Sequence, residues 1–184
     1  MTRWEVFKQD AAGKPHQAVG SVHAADARHA LVTAAHVFAR RPSAHSLWVV
    51  PVDAIYSRTA QELAAAATLS AASLLDAAHG ADNTEGASER MFHVFRKASH
   101  RRSMTFVDHV VTLEAVSPAA ALARAVAEVP GAAESLAWWV VPVAAVTASA
   151  AADAPSWFEP AKDKTYKQQA LYGTGPTVPA KRGS

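Results

Sequence analysis

The run Trp48-Val49-Val50-Pro51-Val52-Asp53-Ala54-Ile55 returns as Trp139-Val140-Val141-Pro142-Val143-Ala144-Ala145-Val146, 91 positions further on. A chain that repeats itself in this way builds its fold from two copies of one unit. The same offset holds back through the preceding segment, where Leu31, Ala34, Ala35 and Phe38 fall on Leu122, Ala125, Val126 and Val129. Each quartet has the i, i+3, i+4, i+7 spacing of one helix face, so each copy is predicted to carry a helix with an equivalent buried stripe. The boundary signals agree: Asp26 suits the N-cap of the first helix, Ser117 and Pro118 supply N-cap and N1 of the second, and Pro130-Gly131 ends it. Ahead of each helix lie two strand-like segments, Trp4 to Lys8 and Gln17 to His23, then Phe92 to Arg96 and Thr105 to Glu114. They read as hairpins, and the offset grows from 88 to 91 between them, which puts the extra residues in a loop around Ser99 to Ser103.

The predicted fold class is α+β: two tandem ββαβ units whose antiparallel sheets pack as an intramolecular pseudo-dimer. A unit of about 55 residues has little core of its own, whereas two can bury their apolar faces on each other. The expected divisions are a first repeat over 1–57, a connecting helix and linker over 58–89, a second repeat over 90–148 and an extended tail over 149–184. Ala60 to Ala78 is rich in alanine and leucine, hence the connecting helix, and His79 to Gly86 is a polar linker. Leu63, Leu69, Leu74 and Leu75 could pack that segment on the sheet, although a plain spacer between the two copies is the reading preferred.

Composition removes several chemistries. The chain has no cysteine, which excludes disulfides, thiolate zinc sites, iron–sulfur ligation and cysteine nucleophiles. Eighteen lysines and arginines against 16 acids make no basic field of the kind that holds nucleic acid. No stretch approaches the ~20 apolar residues of a membrane span and the N-terminus lacks a signal-peptide pattern, so a cytoplasmic protein with no membrane partner is expected. Carboxylate-bridged di-iron sites use Glu-x-x-His pairs, and the sequence has none; Asp26 with His29 and Asp76 with His79 are look-alikes at predicted helix ends. His29 and His36 fall on the outer face of the first helix. Trp4, Trp48, Trp138 and Trp139 lie in strands, where core packing is the expected role. No nucleophile elbow, P-loop or dinucleotide fingerprint occurs, so no catalytic, cofactor-binding or metal-binding residue is nominated.

Val19-Gly20-Ser21-Val22-His23-Ala24-Ala25-Asp26-Ala27, then a helix, then Leu47-Trp48-Val49-Val50, resembles the conserved run of the phenylacetyl-CoA epoxidase B-subunit family, PaaB. The tail is more specific: Phe158-Glu159-Pro160-Ala161-Lys162-Asp163-Lys164-Thr165-Tyr166-Lys167 looks like the family's Phe-Glu-Pro-Ala-x-Asp-Lys-x-Tyr-Arg signature. The resemblance implies a small cofactor-free accessory subunit, itself no enzyme, bridging the catalytic and scaffold subunits of a multicomponent monooxygenase. That complex epoxidises the ring of phenylacetyl-CoA with a di-iron centre held by a partner. The tail reads as a docking segment, with Trp157, Phe158 and Tyr166 as apolar anchors, Pro160 helping to hold it extended, and Glu159, Lys162, Asp163 and Lys164 as its polar contacts; a tail wrapped over its own sheet is the other reading. The departure from the family pattern is that two copies share one signature tail.

Two other readings stand beside this one. A small isomerase-like α+β enzyme would gather polar groups such as His16, His23 or His109 in a cleft. A single-stranded nucleic-acid module would expose its strand aromatics.

Overall fold

The computed structural model describes residues 1–39, 44–68, 88–100 and 107–159. Within them the first copy contributes β1 (Thr2–Gln9), β2 (Gln17–Ala24), α1 (Ala27–Phe38), β3 (Ser46–Pro51), β4 (Tyr56–Thr59) and α2 (Ala60–Thr68). The second contributes β5 (Arg90–Lys97), β6 (Asp108–Ala115), α3 (Pro118–Glu128), β7 (Ala137–Pro142), β8 (Thr147–Ala148) and α4 (Ala154–Phe158). The predicted hairpins and the helix of each copy are present, and Asp26 Oδ1 accepts from the His29 amide at 2.8 Å as the predicted N-cap. Ser117 Oγ does the same for Ala120 at 3.1 Å. Asp26 and His29 thus form a helix start. Asp76 and His79, like the later part of the predicted connecting helix, lie outside the described residues.

All strands join one antiparallel sheet in the order β4-β7-β5-β6-β2-β1-β3-β8. The order is palindromic in the repeat, and its centre is the β6–β2 junction. There Gln17 Nε2 donates to Asp108 Oδ1 at 2.6 Å, the Ala18 amide donates to Val107 O at 2.9 Å and the His109 amide to His16 O at 2.8 Å. At the outer ends the copies exchange strands. β4 leaves the first copy and pairs with β7, Tyr56 opposite Val140, while β8 leaves the second and pairs with β3, Thr147 opposite Val49. The helix after each exchanged strand follows it across: Leu63 of α2 packs on the second unit's core, and Ala154, Trp157 and Phe158 of α4 on the first unit's core. The expected division between 57 and 58 therefore cuts through a strand. Residues 56–68 are the first copy's counterpart of the segment that opens the tail, and their likeness is carried by backbone pairing and burial rather than by side-chain identity.

Three cores result. The first unit closes α1 over Val6, Val22, Leu47 and Val49, and the second closes α3 over Phe92, Val94, Leu113, Trp138 and Val140. The buried helix stripes are Ala30, Leu31, Ala34 and, at the same places, Ala121, Leu122, Ala125. Val126, expected in the stripe, is 38% exposed. At 100° per residue it lies about 90° from the centre of the buried arc, at the margin of what the sheet can cover. The third core occupies the sheet's other face, where Phe7, Ala18, Val50, Phe95, Val107 and Val141 meet, with Trp48, Ile55, Trp139 and Val146 packed against them. β1 and β5 are separated by β6 and β2 in the sheet, yet Phe7 and Phe95 stack with centroids 4.3 Å apart. The sheet therefore curls until its helix-free face meets itself, and this seam is the pseudo-dimer contact. The four strand tryptophans all pack in these cores.

Candidate functional site

Two places carry more polar or partner-directed character than the fold requires. The first is the root of the tail. Phe158 is 4% exposed and belongs to the first unit's core, and Trp157 packs beside it with ring centroids 6.5 Å apart. Two of the three residues expected as apolar partner anchors are seated on their own chain in this arrangement, because the exchanged β8 delivers α4 to the first unit's core. Glu159 is exposed at the end of that helix. Pro160, Lys162, Asp163, Lys164 and Tyr166, the rest of the expected tail set, lie outside the described residues.

The second place is the seam. Strand alternation sends Trp48 of β3 and His93 and Phe95 of β5 to the helix-free face, a bulge in β6 brings both His109 and Thr112 there although they are three residues apart, and the segment entering β2 adds His16. His16 stacks on Trp48 at 3.5 Å, Trp48 stacks on His93 at 4.6 Å, and His93 meets His109 edge-on at 5.1 Å. His16 and Trp48 come from the first unit, and His93, His109 and Thr112 from the second. His16 Nε2 is hydrogen-bonded to Ser46 Oγ at 3.1 Å. Thr112 Oγ1 lies 2.7 Å from His93 Nδ1 and 3.0 Å from His109 Nε2. The one hydroxyl proton can go to only one of the two rings, so at least one imidazole donates its N–H to Thr112 Oγ1.

Burial sets the charge state of this cluster. It pulls His16 down to about 4, helped by His109, His93 and His45, and it pulls His93 down to about 4, helped by His109. Burial lowers His109 as well, against a backbone hydrogen bond at Val111 that raises it. The rings are thus neutral at pH 7. They offer a hydroxyl set between two neutral bases, and among the described residues no group of His, Asp or Glu side chains is placed to hold a metal ion. Of the three histidines considered as a cleft set, His16 and His109 come together, whereas His23 is exposed on β2. His93 and Thr112 are not singled out by sequence, and Trp48 only as a core residue, although period-two alternation from Phe95 and Val50 places His93 and Trp48 on one face.

The other copy of the seam carries a different set. The hairpin registers put Glu5 opposite Ser21 where His93 stands opposite Thr112, and Phe7 opposite Ala18 where Phe95 stands opposite His109. Glu5 is 3% exposed, and burial pushes it up to about 7, partly offset by Arg3.

Fold and site together define a tandem-repeat α+β protein, an intramolecular pseudo-dimer in which each unit is completed by the other's last strand and helix. No helix among the described residues is long and apolar enough to cross a membrane. The phenylacetic acid degradation B (PaaB) family model matches residues 1–74 and 89–178, and the chain belongs to that family. The break in the match falls between the two copies. The 1,2-phenylacetyl-CoA epoxidase B-subunit of Escherichia coli K12 is 41% identical over 59 residues, a stretch covering 32% of this chain and 62% of that protein, less than two thirds of its length. No solved structure matches the chain.

Proposed function

We propose that this chain is a non-catalytic, cytoplasmic bridging subunit of a multicomponent monooxygenase that epoxidises the ring of phenylacetyl-CoA in phenylacetate degradation. The catalytic subunit, with its di-iron centre, and the scaffold subunit are its partners. The observation that carries this reading is the family match over both copies together with the tail that follows the second. Two features support the division of labour. The apolar surfaces of both units are closed by exchanged strands and helices, and the root of the tail is pinned at Phe158, so Glu159, where the signature continues, lies beside the first unit. Glu159, Lys162, Asp163 and Lys164, with Pro160 and Tyr166, are the contacts offered to a partner; Trp157 and Phe158 hold the tail's base.

The test is co-purification of the tagged full chain with the catalytic and scaffold subunits, repeated with a chain ending at Glu159, which keeps α4 in place, and with D163K and K164E. A stable complex from the full chain, weakened by the truncation and by either charge reversal, is expected. Absence of any complex would overturn the reading.

The Thr112 hydroxyl between two neutral imidazoles favours the enzyme alternative. Turnover of a small aromatic acid by the isolated chain, lost on Thr112→Val, would establish it instead.

A further inference from the structure

A homodimer of single units has the same residue at both copies of every seam position. Duplication removes that constraint, and positions 5 and 93 have used the freedom: one copy carries a carboxyl, the other an imidazole. We infer that Glu5 and His93 are an opposed pair of proton-responsive groups: the closed contact between the two units holds both neutral, so loosening it lets Glu5 release a proton and His93 take one up, and the two respond to pH in opposite senses.

The geometry explains why both must be neutral for the tightest seam. Glu5 lies on the same face of β1 as Phe7, which stacks on Phe95 of the other unit. Its Oε1 is buried with no hydrogen-bond partner among the described residues, and its one charged neighbour, Arg3, reaches Oε2 only at 3.9 Å, too long for a charge-assisted hydrogen bond. Opposite Glu5, β2 offers the Ser21 hydroxyl, itself accepting from Arg3 Nε at 3.2 Å, and β3 offers Val50. Asp53, in the turn after β3, is exposed. An ionised Glu5 is therefore a buried charge with little compensation. His93 has the converse problem. It is held between Trp48 and His109, with His16 on the far side of the indole, and its strand neighbour on β7 is Val141. A proton on His93 places a cation beside two further imidazoles and leaves Thr112 as its hydrogen-bond partner. Of the two acids on β6, Asp108 is engaged by Gln17 and Glu114 is exposed.

The signs follow from linkage. Glu5, raised to about 7, stabilises the fold fully below about 4.5, and that contribution is lost as pH rises through about 7. His93, lowered to about 4, contributes above about 6.5 and loses the contribution as pH falls through about 4. His16 acts in the same direction as His93.

The experiment is urea unfolding of the full chain from pH 4 to 8.5, for the wild type, Glu5→Gln and His93→Gln. Relative to wild type, Glu5→Gln is expected to gain stability as pH rises from about 4.5 to about 7, by up to tenfold per pH unit in the unfolding equilibrium constant. His93→Gln is expected to lose up to one proton of acid-side slope between about 6.5 and about 4. Protection factors of the Ala18 and His109 amides, which bridge β2 and β6, should shift with pH in those same opposite senses in the two variants relative to wild type, and by more than those of β1 and β3. Variant profiles parallel to the wild type, or seam amides that open only with the whole molecule, would overturn the inference. If a variant fails to fold, side-chain NMR of the wild type decides. A Glu5 carboxyl titrating near 4.5 and a His93 ring near 6.5 would also overturn it.

Discussion

Gly20 and Phe38 in the first unit stand where Val111 and Val129 stand in the second, 91 positions on. A Cβ built on Gly20 would meet the Phe38 ring at 3.0 Å, and Gly20 has φ +139°, a conformation closed to L side chains. The first unit thus fills its helix–sheet gap with one large ring and no opposing side chain, and the second with two of intermediate size. Gly20→Ala should cost about 1–3 kcal/mol in urea unfolding, from strain and clash together. Adding Phe38→Val removes the clash and leaves the backbone strain, so the double variant should recover only part of the loss. The repeat in the sequence makes this exchange of volumes visible only once Gly20 and Phe38 are known to touch.

At the scale of elements, the exchanged segments carry the most consequence for their length. α4 is five residues, yet Phe158 completes the first unit's core. Phe158→Ala should destabilise the chain by about 3–5 kcal/mol, measured by urea or thermal unfolding, because a fully buried ring leaves a cavity the strands cannot close. Leu63→Ala, its counterpart on the second unit, should cost clearly less, since Leu63 is only partly buried. α2 opens with a reciprocal cap in which Thr59 Oγ1 accepts from the Glu62 amide at 3.2 Å and Glu62 Oε2 accepts from the Thr59 amide at 2.7 Å. These bonds hold the exposed Glu62 carboxyl below its usual range. Thr59→Ala should lower stability by about 1 kcal/mol in the same assay. The Thr-x-x-Glu spacing was open to inspection in the sequence, whereas the strand before it was not: Tyr56–Thr59 is four residues with no partner nearby in the chain.

For the whole molecule, exchange makes the connection between the copies dispensable to their association. Co-expressed fragments 1–78 and 79–184 should form a one-to-one complex that survives size-exclusion chromatography at low concentration and comes apart only with unfolding, because each fragment holds a strand and a helix of the other's sheet and core. Two independently folded monomers would contradict the exchanged topology.

The sequence by itself determined the duplication, the hairpin–helix–strand order, the N-caps at Asp26 and Ser117 and the burial of the tryptophans. These are local patterns of period, capping and apolar alternation, and they need no knowledge of distant partners. Tertiary structure alone decided where β4 and β8 pair, that Trp157 and Phe158 root the tail on the first unit, and that Glu5, His16, His93 and His109 face one seam. Each of those facts is a contact between residues some tens of positions apart, set by how the sheet curls on itself and where its free edges find partners. Two- to four-residue strands and single buried polar groups leave no periodic trace from which such contacts could be read.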